Sequence, residues 1–146
     1  MNASKFFLKA ANSLITAIVA LFLILAAAYS GYALWDNAQV YAAVDDVQSE
    51  LMKLKPDPEQ KDGGASFEEL RKINPDVCGW ITLDHTKIDY PILQGEDNLT
   101  YINTDVYGDF ALSGSIFLDS GCDNTFQGKY SLLYGHHMAN HKMFGD

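Results

Sequence analysis

The sequence predicts a mainly β domain that is preceded by a transmembrane helix and short α-helices. Three observations lead to this fold class. A run without charged residues lies between Lys9 and Asp36, and apolar residues then recur at helical spacing. Short β-rich segments, separated by turns rich in Gly, Asp and Asn, fill the remainder of the chain. Several short strands of this kind are typical of a β-sandwich or a β-barrel.

The uncharged run is long enough to cross a bilayer, since a transmembrane helix needs roughly 20 mostly apolar residues. We assign residues 1–9 to a cytoplasmic tail and residues 10–35 to a transmembrane anchor. Lys5 and Lys9 precede the run and acidic residues follow it, so the positive-inside rule places the remaining domain outside the cell. A signal peptide cleaved after the alanines at 26–28 is the alternative, and it exports the same domain.

Residues 36–66 are predicted to form a juxtamembrane helix and a linker. The linker contains Pro56 and Gly63-Gly64, which interrupt a helix. Ser66 and Glu69 have the spacing of a capping box, so a short helix is predicted over Phe67–Ile73. The apolar residues that define the juxtamembrane helix are Val40, Val44, Val47, Leu51 and Leu54.

The folded domain, residues 67–146, contains four β-rich segments. We predict that Pro91 lies at a sheet edge or a bulge, because proline has no N–H to donate to a neighbouring strand. Residues 98–103 are predicted to form a short helical turn. The predicted strands are Trp80–Leu83, Ile88–Leu93, Gly114–Leu118 and Tyr130–Tyr134.

The charge and cysteine content exclude several classes of protein. The 146 residues include 10 Lys and Arg against 19 Asp and Glu, a formal net charge of −9, so we expect no nucleic-acid partner. The two cysteines are too few for a disulfide scaffold or a four-cysteine zinc site. Cys78 is predicted to be a small buried residue, and Cys122 lies beside Asp123, which disfavours a thiolate. A disulfide between the two stays open.

The densest cluster of ionisable groups follows the last predicted strand. His136, His137 and His141 lie within six residues of one another. The residue types leave three interpretations open. The histidines can be structural, or His137 and His141, which are four residues apart, can bind a metal ion from one face of a helix. In the third interpretation, His136 transfers protons in a Cys–His or Ser–His pair.

Four sequence blocks, in their order and spacing, resemble class B sortases. Sortases are membrane-tethered cysteine transpeptidases of Gram-positive bacteria with a closed β-barrel, and they cleave a C-terminal sorting signal and join the exported protein to the cell wall. The resemblance thus implies an extracellular domain on a single-pass anchor. The blocks are Asn74–Ile81, Ile88–Gly95, Gly114–Asp119, and Tyr134–Met138 with Met143–Asp146.

The resemblance implies that His136 is the catalytic histidine. It also implies that Asn98, Ile102 and Tyr134 bind the sorting signal. The nucleophilic Cys of the family follows a Thr-Leu-x-Thr segment and precedes an Arg, and neither motif occurs in this sequence. We therefore expect the Cys and the Arg beyond Asp146, so that the chain is the N-terminal portion of a sortase with an incomplete barrel and is inactive by itself.

The resemblance also names the partners. They are the sorting signal of a surface protein, the membrane, and an amine acceptor, which is either a peptidoglycan precursor or a pilin lysine. We expect no cofactor and no bound metal. Two other functions stay open. The absence of the Cys and Arg motifs is compatible with a non-catalytic, membrane-anchored binding module, and the histidine cluster is compatible with a His-based metal protein.

Overall fold

The computed structural model describes residues 3–57 and 65–145, and it divides the chain into two units, Met1–Gln39 and Val40–Asp146. One helix, α1 (Ala3–Met52), supplies the described residues of the first unit and continues into the second. The predicted anchor and juxtamembrane helix are therefore parts of one helix. No proline interrupts it, because the first proline of the sequence is Pro56.

The first unit presents apolar side chains to its surroundings. Phe22, for example, is 69% exposed. Among the described residues, α1 is the one helix that is long and apolar enough to cross a membrane. The hydroxyl groups of Thr16 and Ser30 donate to the carbonyl groups of Asn12 and Ala26, at 2.8 and 2.9 Å. These polar side chains are thus satisfied within the helix, as an apolar environment requires.

The second unit contains a short helix and a four-stranded mixed sheet. Strands β1 and β2 are antiparallel, β2 and β3 are parallel, and β3 and β4 are antiparallel, so the sheet order is β1-β2-β3-β4. A 3₁₀ turn, Thr100–Ile102, precedes β3. The elements are α2 (Ala65–Ile73), β1 (Val77–Thr82), β2 (Asp89–Leu93), β3 (Ile116–Leu118) and β4 (Leu133–Tyr134).

The prediction of a mainly β chain is not confirmed. Helices α1 and α2 hold 50 and 9 residues, whereas the four strands hold 6, 5, 3 and 2. The predicted strand Tyr130–Tyr134 is shortened to its last two residues, which alone pair with β3. Among the described residues the sheet is open, with β1 and β4 at its edges. The linker residues 58–64 and the side chain of Ser66 lie outside the described residues.

Pro91 lies inside the sheet, so the predicted edge position is wrong. It belongs to β2, between β1 and β3, and it faces Trp80 of β1. The parallel pairing of β2 with β3 begins only at Ile92. A proline is tolerated there because its missing N–H falls before that pairing starts. The bulge of this strand pair lies on the other strand, between Val77 and Gly79.

Two buried clusters cover the two faces of the sheet, because successive residues of a strand point to opposite faces. Leu93 and Phe117 contribute to the first cluster, and their neighbours Ile92 and Ile116 contribute to the second. The first contains Leu51, Leu70, Val77, Leu93, Tyr101, Val106 and Phe117. The second contains Ile88, Tyr90, Ile92, Ile116, Leu118 and Met143.

Candidate active site

The structure brings together two segments that carry the predicted site residues. The first runs from Asn98 through the 3₁₀ turn to Ile102, and the second runs from Tyr134, at the end of β4, to His136. The imidazole Nε2 of His136 lies 2.8 Å from the backbone carbonyl oxygen of Ile102. A carbonyl oxygen can only accept, so Nε2 carries the hydrogen. In the neutral ring, Nδ1 is then the unprotonated nitrogen.

Gly114 allows the Ile102 carbonyl to occupy this position. Its φ is +55°, and an added Cβ would lie 2.2 Å from the carbonyl oxygen of Ile102. Both the left-handed backbone and the lack of a side chain are thus required there. The next residue, Ser115, donates its N–H to the carbonyl of Tyr101 at 3.0 Å, which keeps the two chain segments adjacent.

The backbone of His136 is held by the segment that follows it. The Phe144 N–H donates to the His136 carbonyl at 2.9 Å. The Met143 side chain is buried in the second cluster. The lack of a side chain at Gly135 leaves room for the Phe144 ring, since an added Cβ would lie 2.9 Å from its Cδ2. His136 as a residue is only half-buried, so part of it is open to solvent.

Asp119, directly after β3, joins the other two predicted site residues. Its Oδ2 accepts hydrogen bonds from Asn98 Nδ2 at 2.7 Å and from the Tyr134 hydroxyl at 2.9 Å. Its Oδ1 accepts the Gly121 N–H at 2.9 Å. The Tyr134 ring packs beside the buried Phe117 ring, with a centroid separation of 5.2 Å. Asn98 and Tyr134 therefore share one carboxylate.

Hydrogen bonding sets the charge state of this group. The Gly121 N–H, and then the Tyr134 hydroxyl and the Asn98 amide, hold the pKa of Asp119 below its ordinary value. The bond to Asp119 also raises the pKa of Tyr134, because an ionised phenol could not donate to a carboxylate. At neutral pH the pair is consequently a carboxylate and a protonated phenol.

The histidines that follow do not share a helical face, so the interpretation of His137 and His141 as a metal site on one face of a helix is not supported. His137 pairs with Met143 in an isolated β-bridge, and His141 has a left-handed backbone with φ of 61°. The Nδ1 of His137 lies 3.3 Å from the Phe144 carbonyl oxygen. Within residues 3–57 and 65–145, no group of three or more His, Cys, Asp or Glu side chains is arranged to hold a metal ion.

Both cysteines are free and half-buried, and no disulfide joins them. Burial raises the pKa of the Cys78 thiol to about 11. Its Sγ lies 3.4 Å from the Ile92 carbonyl oxygen. Cys78 is therefore a protonated thiol at neutral pH, which disfavours it as a nucleophile.

A separate open pocket of about 600 Å³ lies beside Cys78 and shares no lining residue with the predicted site. Arg71 borders it, with its guanidinium 5.4 Å from the centre of the Phe67 ring and its Nε donating to the Val77 carbonyl at 3.2 Å. The Arg71 side chain is thus engaged by α2 and β1. The pocket and the His136 site are two distinct features of the domain.

Two residues of the site were not singled out from the sequence. Asp119 and Gly114 both lie in the block Gly114–Asp119, which was noted only for its family pattern. An acidic residue directly after a strand is a signal that could have identified Asp119. Its partners Asn98 and Tyr134 are 21 and 15 residues away in the sequence. The contact could therefore be predicted only if the strand pairing was already known.

Comparison with known proteins identifies relatives of this domain. Sortase B of Listeria monocytogenes is 35% identical over 120 residues, which are 80% of this chain and 48% of that protein. The crystal structure of Bacillus anthracis sortase B in complex with AAEK1 matches with a TM-score of 0.68 and 36% identity, over 73% of this chain and 53% of the other. The Staphylococcus aureus sortase B-substrate complex matches with a TM-score of 0.53 and 33% identity, over 75% and 49%.

The chain is therefore similar to class B sortases in both sequence and fold over the part that it spans, which confirms the resemblance inferred from the four sequence blocks. It spans about half the length of the Listeria protein. No family model matches the chain.

Proposed function

From the similarity to class B sortases, we propose that this chain is part of a cysteine transpeptidase and that His136 is its proton-transfer residue. The observation that carries the proposal is the placement of the half-buried His136 imidazole at the end of β4. Its Nε2 is fixed by the Ile102 carbonyl, and Tyr134 and Asn98 lie in the same two segments. We use "the complete protein" for these residues together with any further part that the gene encodes.

In the proposed reaction, a cysteine thiolate of the complete protein attacks the carbonyl carbon at the cleavage point of the sorting signal. The sulfur–carbon bond forms, the carbon–nitrogen bond breaks, and a thioester results. The imidazolium of His136 gives its proton to the departing amine. The neutral imidazole later accepts a proton from the incoming amine, whose nitrogen bonds to the carbonyl carbon while the carbon–sulfur bond breaks and the thiolate leaves. An arginine of the complete protein stabilises the developing oxyanion. Because Nε2 is bonded to Ile102, Nδ1 is the nitrogen that exchanges the proton.

Neither described cysteine is proposed as the nucleophile. Desolvation keeps Cys78 protonated, and Cys122 lies in a turn directly before the acidic Asp123. The nucleophile and the arginine are proposed to lie in the half of a class B sortase that this chain does not span. The gene downstream of the Asp146 codon tests this. A reading frame there that encodes a Cys after a β-strand pattern and then an Arg supports the proposal, and its absence contradicts it.

The topology is likewise a proposal. Residues 10–35 form a single-pass anchor with residues 1–9 in the cytoplasm, residues 36–66 connect it to the domain, and residues 67–146 face the cell exterior. The exposed apolar surface of α1 supports this. Proteolysis of intact, wall-stripped cells should remove the domain and leave the N-terminus protected. A domain that resists protease until the membrane is broken contradicts the orientation.

The catalytic assignment is tested by replacing His136 with Ala in the complete protein. General acid–base catalysis contributes typically about 10²–10⁴-fold, so cleavage of a sorting-signal peptide in the presence of an amine acceptor should fall by that factor. The matched control is His137→Ala, because His137 is exposed and adjoins His136. Full activity of His136→Ala, with loss in His137→Ala, contradicts the assignment.

A second function is favoured by one observation, the raised pKa of Cys78, because a protonated thiol is a poor nucleophile. In this alternative the domain binds a sorting signal without cleaving it. Titration of the complete protein with a sorting-signal peptide, followed by mass spectrometry of the peptide, separates the two functions. Binding with no cleavage and no thioester favours the binding module. Cleavage with a trapped thioester favours the transpeptidase.

A further inference from the structure

We propose that Asp119 is a positioning residue that fixes the Tyr134 hydroxyl as a hydrogen-bond acceptor toward the sorting signal, so that this subsite recognises a peptide N–H. The inference rests on the proposed function, because it takes Asn98 and Tyr134 as the place where the peptide binds. It goes further by naming the chemical group that the subsite takes and the residue that selects it.

Asp119 is suited to this role because its own position is fixed from several sides. Its N–H donates to the Leu132 carbonyl at 2.9 Å, and its carbonyl accepts the Gln94 amide at 2.9 Å. Its Oδ1 accepts the Gly121 N–H at 2.9 Å. The backbone and one carboxylate oxygen are thus held by the loop and by the residue after β2. The other oxygen, Oδ2, accepts hydrogen bonds from Asn98 and Tyr134.

The Tyr134 hydroxyl has a single hydrogen, and the bond to Asp119 Oδ2 uses it. The lowered pKa of Asp119 keeps that oxygen a pure acceptor at neutral pH. The remaining lone pairs of the Tyr134 oxygen can therefore accept but cannot donate. A group that binds to this oxygen must carry an N–H or O–H hydrogen, and in an extended peptide the recurring donor is the backbone amide.

Asn98 presents the complementary group, a hydrogen-bond donor. Its Oδ1 accepts the Ser120 N–H at 2.7 Å, and one hydrogen of Nδ2 is given to Asp119 Oδ2 at 2.7 Å. The second Nδ2 hydrogen is left to donate to a carbonyl oxygen. Because Asn98 and Tyr134 bond the same carboxylate oxygen, a donor and an acceptor lie side by side. That pair matches the C=O and N–H groups of a peptide backbone.

The role of Asp119 is separable from support of the ring itself. The Tyr134 ring packs against Phe117, whose side chain is buried in the first cluster, with a centroid separation of 5.2 Å. Replacement of Asp119 should therefore leave the ring in place while it frees the hydroxyl hydrogen. A purely structural role would instead unfold the strand end and displace the ring.

The first experiment measures the ionisation of Tyr134 in the complete protein, with tyrosines labelled at ¹³Cζ and with Tyr134→Phe to assign the signal. Asp119→Asn removes the charge, so the pKa of Tyr134 should fall toward its ordinary value of 10.0. The matched control is Asp123→Asn, because Asp123 accepts the Thr125 and Gln127 N–H groups in its own loop. An unchanged Tyr134 pKa in Asp119→Asn overturns the inference.

The second experiment measures the binding of synthetic sorting-signal peptides in which one backbone amide at a time is N-methylated. One position should cost the wild-type protein about tenfold in affinity, the size of one good hydrogen bond. The same methylation should cost Tyr134→Phe much less. Asp119→Asn should raise KM more than it lowers kcat, because it disturbs binding and not proton transfer.

The outcomes separate the two proposals. In one outcome the wild-type protein binds the peptide, but N-methylation costs it no more affinity than it costs Tyr134→Phe. That result overturns the inference and leaves the proposed function standing. Absence of peptide binding and cleavage by the wild-type complete protein overturns the proposed function and, with it, the peptide part of the inference. The tyrosine titration still decides in that case whether Asp119 fixes the Tyr134 hydroxyl.

Discussion

His136 is held by a backbone carbonyl, whereas Tyr134, two residues earlier, is held by a carboxylate. The carbonyl of Ile102 carries no titratable charge, and its position depends on the path of the chain past Gly114. The carboxylate of Asp119 is half-exposed, and its hold on Tyr134 depends on its ionisation. The comparison teaches that two halves of one site can respond to different perturbations, one to backbone displacement and the other to charge.

The largest effect should come from Gly114→Ala. The added Cβ meets the Ile102 carbonyl oxygen, and φ of +55° is unfavourable for alanine, so we expect a loss of at least about 2 kcal/mol in the free energy of unfolding. The His136 contact should be displaced as well, with a matching loss of activity in the complete protein. Urea denaturation and an amide NMR spectrum measure the two consequences.

Gly108→Ala is the matched control for that substitution. Gly108 has φ of +86°, but an added Cβ meets no atom within 4 Å. It should therefore cost only the left-handed backbone penalty of about 1–2 kcal/mol, and it should leave the His136 signals unchanged. If both substitutions shift the His136 resonances equally, the Ile102 carbonyl is not the contact that Gly114 protects.

An intermediate effect is expected from pH at the Asp119 half of the site. The folded-state pKa of Asp119 is lowered, so its contribution to stability is present above its ordinary pKa of 3.8 and is lost as pH falls through the lower folded value. The stability difference between the wild-type protein and Asp119→Asn should thus narrow below roughly pH 4. Urea denaturation of both proteins from neutral to acidic pH measures this. A stability difference between the two proteins that widens at low pH contradicts the predicted direction of the effect.

The smallest effect is a spectroscopic one on the His136 half. The neutral ring of His136 should populate the tautomer with hydrogen on Nε2, since the Ile102 carbonyl can only accept. Nitrogen-15 shifts of the imidazole report this directly, and they should be the same in Asp119→Asn if the two halves are independent. Predominance of the Nδ1–H tautomer would show that the Ile102 contact is absent in solution.

Much of the domain could be predicted from local sequence pattern. Each of the four predicted β-rich segments overlaps an observed strand, and the helix predicted over Phe67–Ile73 is part of α2. The errors arise where the local sequence pattern is ambiguous or where the pairing of strands determines the structure. Tyr130–Leu132 has strand-like composition but pairs with no strand in the part of the chain that the structure describes, and Pro91 is tolerated inside the sheet because β3 pairs with β2 only from Ile92 onward. The mainly β class is not confirmed because α1 holds 50 residues whereas the four strands hold only 6, 5, 3 and 2.

The sequence by itself determined the apolar helix, the order of the strands along the chain, the excess of negative charge and the blocks that indicate a class B sortase. These depend on residue type and short-range spacing. The tertiary structure alone decided that His136 bonds the Ile102 carbonyl, 34 residues away, and that Tyr134 and Asn98 meet on Asp119. Such contacts depend on which strands pair and in what register, and that choice is made by packing the whole domain around its buried clusters.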